Sequence, residues 1–199
     1  MPAAARTALS SIAMRGRIWT VPNQITLLRL GFLPFFLILI SYESYKWALL
    51  VLVVAGLSDG IDGLLARSLN QRSSLGAYLD PIADKLLLSS SFIILAFKKK
   101  IAWWLTIIVF SRDILILIVA VVILLISGYR PFPPSIFGKL TTAFQIILVF
   151  AVVFSAAYPD FHLAKIIHLL VYGVTFFSVF SALHYSFSTA RNLSSSAPS

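Results

Sequence analysis

The chain has no cysteine, which excludes disulfide bridges and thiolate metal sites, so any metal it holds must be bound by oxygen or imidazole. Acids are scarce too: there are seven, against sixteen Lys and Arg, for a formal charge of +9. Residues 1–20 contain no acid and no long apolar core, so they do not form a secretory signal peptide. What is abundant is hydrocarbon. Hydrophobic residues make up 59% of the 199, with a mean hydropathy of +0.95, whereas a soluble domain averages about 45–50%. Such a chain belongs in a bilayer, and the basic excess reads as contact with anionic headgroups, not as nucleic-acid binding.

Stretches of about 20 apolar residues, the length of a helix crossing some 30 Å of hydrocarbon, recur after residue 20. Six are placed, near residues 22–42, 45–67, 74–97, 101–127, 135–157 and 163–188. Pro22, Gly128, the cluster from Pro131 to Pro134, and Pro159 punctuate their ends. The expected fold is an all-α integral membrane bundle of six transmembrane helices over residues 21–190. Residues 1–20, with Arg6, Arg15 and Arg17, form a basic amphipathic juxtamembrane segment before it, and residues 191–199 a loose tail after it. With the N-terminus inside, eight basic residues fall on the inner side and five outside, which favours a cytoplasmic N-terminus, although the run Lys98 to Lys100 opposes it. The acid-free, Arg- and Ser-containing start also looks like an organelle transit peptide.

Four of the seven acids, Asp59, Asp62, Asp80 and Asp84, lie within 26 residues of otherwise apolar sequence. An intramembrane carboxylate costs a few kcal/mol even on lenient scales, so the cluster marks a functional site. Spacings of three and four place each pair on one face of its helix. The midpoints of Asp62 with Asp80 and of Asp59 with Asp84 both fall near residue 71, so two antiparallel helices would match them in depth as a four-carboxylate box. Carboxylates that close need cations between them, and all-oxygen ligation suits two divalent ions, Mg²⁺ or Mn²⁺, which can clamp a phosphoryl group. Gly56, Gly60, Gly63, Ala66, Gly76, Ala77 and Ala83 would let helices or a ligand approach the backbone. Arg67 lies about one turn beyond Gly63, where its fork could hold a pyrophosphate. Midplane carboxylates also mark ion pathways, so a cation or proton transporter is the remote alternative; acids gathered at one depth and the absence of an evident repeat speak against it.

Asp59, Asp62-Gly63, Ala66-Arg67, Gly76, Asp80 and Asp84 match D-x2-D-G-x2-A-R-x8-G-x3-D-x3-D at all eight typed positions, and by this the chain resembles the CDP-alcohol phosphatidyltransferase family. The resemblance implies that Asp59, Asp62, Asp80 and Asp84 bind the metals, that Asp84 is also the catalytic base, and that Gly63, Ala66, Arg67 and Gly76 belong to the CDP site. Pro22-Asn23, Thr26 and Arg29 resemble the opening of members that use CDP-diacylglycerol, which adds Asn23 and Thr26 to that site. The implied reaction moves the phosphatidyl group to a hydroxyl acceptor and releases CMP.

Arg112 and Lys139 are the acceptor-binding candidates. For Arg112 the competing reading is an internal ion pair with Asp113 that lets two charges survive in lipid, and for Lys139 it is simple snorkelling. Gly138-Lys139 with Thr142 and Gln145 resembles phosphatidylglycerophosphate synthases, whose acceptor is glycerol 3-phosphate, the acceptor placed first. Asn70-Gln71-Arg72-Ser73, Ser111-Arg112-Asp113 and Thr141 look more like CMP-forming cardiolipin synthases, whose acceptor is phosphatidylglycerol. Many family members are homodimers, so a second copy is a partner to expect. The expected location is a bacterial inner membrane with the active site cytoplasmic, or the mitochondrial inner membrane in a eukaryote. Trp103-Trp104 reads as an interfacial anchor, and His168 and His184 as interhelical hydrogen-bond partners.

Overall fold

The computed structural model describes residues 21–69, 74–127 and 136–194, and every regular element among them is helical. The helices are α1 (Val21–Ser41), α2 (Tyr45–Leu69), α3 (Ser74–Phe97), α4 (Trp103–Ser127), α5 (Ile136–Ala157) and α6 (Ala164–Ser194), with a 3-10 turn at Pro159–Phe161 before α6. They coincide with the six apolar runs. The basic segment 1–20 lies outside the described residues, and α6 continues through Ser194, into the stretch expected to be loose from residue 191.

The helix ends follow from local chemistry. Pro22 sits in the first turn of α1, where a missing N–H costs nothing. Pro34 lies inside the same helix and removes the N–H that would otherwise bond the Leu30 carbonyl. Helix α1 stops in a left-handed cap at Glu43 (φ 60°): the Glu43 N–H donates to the Ile40 carbonyl (3.0 Å) and the Ser44 N–H to that of Leu39 (2.9 Å). Helix α3 stops the same way at Lys99 (φ 55°), where the Lys99 N–H reaches the Ala96 carbonyl (3.0 Å) and the Lys100 N–H that of Leu95 (2.9 Å). Neither cap uses glycine, so each turn carries the steric cost of a Cβ in the left-handed region.

The chain divides into two compact units, one ending at Ser91 and one beginning at Phe92. In the first, α1 packs on α2, and the buried positions pair large with small: Phe36 and Ile40 on α1, Ala48 and Ala55 on α2. In the second, α6 packs on both α4 and α5. Ring contacts fix the direction of α5 against α6: Phe137 meets Phe180 (4.7 Å) and Phe144 meets Phe177 (4.9 Å), so residue numbers rise along one helix as they fall along the other. Gly173 makes this antiparallel approach close, because a Cβ there would lie 2.8 Å from the Phe144 ring. The end of α3 and the start of α4 meet through Phe97 and Trp103 (4.9 Å, edge to face) and a 3.5 Å bond from the Thr106 hydroxyl to the Phe92 carbonyl.

The second unit buries small polar residues beside its apolar core and exposes large apolar ones. Thr141, Gln145, Ser178 and Ser181 are fully buried, while Leu169, Tyr172, Phe176 and Leu183 of α6 are exposed. Exposed apolar residues on this scale suit hydrocarbon as the solvent, and buried small polar residues suit helix contacts made within it. The hydroxyls of Thr141, Thr142 and Thr175 bond the carbonyls four residues back (2.8, 3.2 and 2.8 Å), which satisfies them without water. Two segments, Phe137–Ala157 and Ala164–Leu183, are long and apolar enough to cross a membrane.

Candidate active site

The helical backbone carries the aspartate motif on two consecutive elements. Asp59, Asp62, Gly63, Ala66 and Arg67 lie on the last turns of α2, and Gly76, Asp80 and Asp84 on the first turns of α3, separated by residues 70–73. Continuous helix through both stretches preserves the three- and four-residue spacings, which rise about 4.5 Å and 6 Å along their axes. The side chains of all these residues, and of Asn23 and Thr26 on the first turns of α1, lie outside the described residues, as does the whole connection 70–73. Gly56 has no helix close against it: a Cβ added there would meet nothing within 4 Å, which leaves that face open to a ligand.

The donor set itself is four carboxylates with no thiol or imidazole on the same stretches, a hard-oxygen set suited to Mg²⁺ or Mn²⁺. Among the described residues, which do not include these four side chains, no group of three or more His, Cys, Asp or Glu could hold a metal.

The two basic candidates are fully described. Arg112, on the third turn of α4, is 6% exposed and donates from Nη1 to Oδ1 of Asp113 (2.7 Å) and from Nη2 to the Ser181 hydroxyl on α6 (3.2 Å). The internal ion pair is therefore real, and the guanidinium has in addition a partner on another helix. Lys139 is exposed in the first turn of α5. Its neighbour Phe137 packs on Phe180, next to Ser181, so the start of α5 and the Arg112 side chain reach the same level of α6. The structure thus brings Arg112 and Lys139 toward one end of the α4, α5 and α6 unit.

Sequence reasoning reached Gln145 only through a resemblance and passed over Ser178 and Ser181. All three are fully buried. The signal was present in the order Val174, Ser178, Ser181, a four-then-three spacing that puts two hydroxyls on the buried stripe of an apolar helix. His168 differs from expectation: its Nδ1 lies 2.7 Å from the Ala164 carbonyl of its own helix, so its contact is local and not interhelical. The side chain of His184 lies outside the described residues. Trp103 and Trp104 are about half exposed at the start of α4, as an interfacial anchor would be.

Comparison with known proteins bears on the same segments. Over 72 residues the chain is 49% identical to human cardiolipin synthase (CMP-forming), a match covering 36% of this chain and 24% of that one. It is 40% identical over 81 residues to a putative cardiolipin synthase of Mycobacterium tuberculosis, covering 40% and 39% of the two chains. It is also 44% identical over 73 residues to the CDP-diacylglycerol–glycerol-3-phosphate 3-phosphatidyltransferase of Pseudomonas fluorescens, covering 35% and 37%. The chain therefore spans about a quarter to two fifths of the length of the curated relatives it matches. The sequence profile of one family, CDP-alcohol phosphatidyltransferase, matches residues 19–177, a stretch that holds the eight-position motif, both aspartate-bearing helices, Arg112 and Lys139. With so much of it matched, this chain belongs to the CDP-alcohol phosphatidyltransferase family.

Proposed function

We propose that the protein transfers the phosphatidyl group of CDP-diacylglycerol to a hydroxyl of a glycerol-type acceptor and releases CMP. The observation that carries this reading is the aspartate motif, complete at eight positions, on consecutive helices inside the stretch matched by the family profile. Asp59, Asp62, Asp80 and Asp84 would hold two divalent ions, Mg²⁺ or Mn²⁺, which when bound neutralise the diphosphate. Asn23, Thr26, Gly63, Ala66, Arg67 and Gly76 would bind the CDP half. Asp84 accepts the proton of the acceptor hydroxyl; the hydroxyl oxygen bonds to the phosphorus that carries diacylglycerol, and the bond from that phosphorus to CMP breaks. The chain's contribution is to position the reactants and to offer fixed charge.

Phosphatidylglycerol is the acceptor we place first. It is supported by the cardiolipin synthase relatives from human and mycobacteria, and by Ser111-Arg112-Asp113 and Thr141. Glycerol 3-phosphate is the second reading, favoured by the Pseudomonas relative and by Gly138-Lys139 with Gln145. Both acceptors carry a phosphate, for which Arg112 and Lys139 are the anchors. All six helices cross the membrane in this reading, with the N-terminus and the aspartates on the cytoplasmic side, and two copies form the working unit.

The test is CMP release and lipid product from purified protein with CDP-diacylglycerol and Mg²⁺ or Mn²⁺, each acceptor supplied alone. Cardiolipin from phosphatidylglycerol supports the first reading, and phosphatidylglycerophosphate from glycerol 3-phosphate would put the second in its place. No metal-dependent CMP release with either acceptor rejects the transferase.

A further inference from the structure

The interior of the α4, α5 and α6 unit holds polar atoms that its own contacts do not satisfy. Gln145 is completely buried, and neither its amide oxygen nor its amide nitrogen has a partner among the described residues. The Ser178 hydroxyl is also buried and unpartnered, although the Val174 carbonyl lies one turn behind it, where the threonines of the same unit find their acceptors. The third such group is Nε of Arg112, whose other two nitrogens are engaged by Asp113 and Ser181. A buried amide or hydroxyl without a partner is costly, so four such atoms in one small unit call for something that bonds them.

The register sets them in succession along one inward stripe. The ring contacts Phe137 with Phe180 and Phe144 with Phe177 set α5 against α6 so that Thr141 comes level with Ser178 and Gln145 with Val174, one turn from Ser178. On α4 the buried residues Leu105, Val109 and Arg112 repeat the spacing of Val174, Ser178 and Ser181 on α6, and the bond from Arg112 to Ser181 ties the two stripes at one end. Ser178 therefore lies one turn below the residue that holds Arg112 and one turn from Gln145.

We propose that Ser181, Ser178 and Gln145 are positioning residues for Arg112: Ser181 holds Nη2 directly, and Gln145 and Ser178 bind buried water that reaches Nε, so the guanidinium is fixed as an anion-binding fork. This rests on the reading of Arg112 as an anchor for the acceptor's phosphate. A guanidinium with partners on all three nitrogens cannot rotate away, and in a low-dielectric interior each such bond to a charged group weighs more than it would in water. Water suits the role because an amide and a hydroxyl both donate and accept, and a water molecule needs two to four such partners.

The experiment measures kcat and the KM of each substrate for Ser181→Ala, Ser178→Ala, Gln145→Leu and Arg112→Ala in the full-length protein, with CDP-diacylglycerol and whichever acceptor supports turnover. The three positioning variants are expected to raise the acceptor KM about tenfold, the effect of one lost bond to a charged group, while the CDP-diacylglycerol KM stays within about twofold. Ser181→Thr, which keeps the hydroxyl, is expected to restore the acceptor KM; equal defects in Ser181→Thr and Ser181→Ala would make the site a matter of packing and overturn the proposal. Should Gln145→Leu fail to fold, the two serine variants, which conserve shape, decide alone. If Arg112→Ala raises the acceptor KM and the serine variants do not, the proposal fails while the anchor reading stands. An unchanged acceptor KM in Arg112→Ala rejects the anchor reading and the proposal with it.

Discussion

Gly31, Gly56 and Gly173 all lie inside helices, yet the same substitution is expected to have opposite effects among them. Replacing a helical glycine with alanine gains about 1 kcal/mol from backbone entropy. At Gly31 and Gly56 a Cβ would meet nothing within 4 Å, so that gain is realised. At Gly173 the Cβ would lie 2.8 Å from Cε1 and 2.9 Å from Cδ1 of Phe144. That ring also packs on Phe177 at 4.9 Å, so it cannot swing aside without disturbing a second contact. Overpacking of this kind costs about 1–3 kcal/mol, which cancels or exceeds the entropy gain. Gly173→Ala is thus expected to fall about 1–3 kcal/mol below Gly31→Ala, or very roughly 2–12 °C in Tm for a chain of this size. Thermal unfolding in detergent micelles, followed by helical circular dichroism, reads the difference. Phe144→Leu should ease the penalty, since it takes away Cε1 and Cζ and leaves shorter branches that can shift. A Tm for Gly173→Ala that rises as Gly31→Ala does, or a deficit that persists in full beside Phe144→Leu, would refute the close approach of α5 and α6 as its cause.

Asp84→Asn is expected to lower CMP release by about 10²-fold or more, the usual contribution of a positioned base, and chelation with EDTA to abolish it until Mg²⁺ or Mn²⁺ is returned; turnover that survives both rejects the aspartate site. Lys99→Gly should stabilise the protein by about 0.5–1 kcal/mol, because relieving a left-handed lysine gains about 1–2 and the freer unfolded chain returns about 0.4–1. No gain in Tm would mean that the Lys99 side chain compensates for its strain. Asp113→Asn leaves the Arg112 charge buried and is expected to cost about 3–5 kcal/mol, whereas Arg112→Leu with Asp113→Leu costs much less. Equal losses on denaturant unfolding would show that the pair is not electrostatically coupled.

The positions of the helices were legible because each apolar run is long, and some are bounded by residues that start or interrupt a helix, as Pro22 and Pro159 do. The candidate site stands out in the sequence because carboxylates are so costly in lipid, and for Asp59, Asp62, Asp80 and Asp84 the structure adds only their places on helical backbone. Serine carries little such penalty, so Ser178 and Ser181 looked like any others in α6, and only packing shows that they face inward. The left-handed caps at Glu43 and Lys99 were illegible for a different reason: the residues that mark such turns are Gly and Asn, and here neither is used. His168 was misread because a histidine in an apolar helix suggests a partner across helices, while the carbonyl of Ala164, one turn back, is nearer.

What distinguishes α6 is that its inward face is not its most apolar face. Fully buried Ser178 and Ser181 sit on the face away from exposed Phe176, Tyr172 and Leu183, so removal of hydrocarbon from water does not account for which face of this helix is buried. Threonines solve the resulting bonding problem locally, through carbonyls of their own helix. Gln145, Ser178 and Arg112 do not, and leave atoms without a partner among the described residues. A fold that required nothing but helix contact could have used alanine at Ser178 and leucine at Gln145 at lower cost. Ser178 and Gln145 lie on the inward stripe of α5 and α6 that leads, through Ser181, to the guanidinium at the level of Lys139.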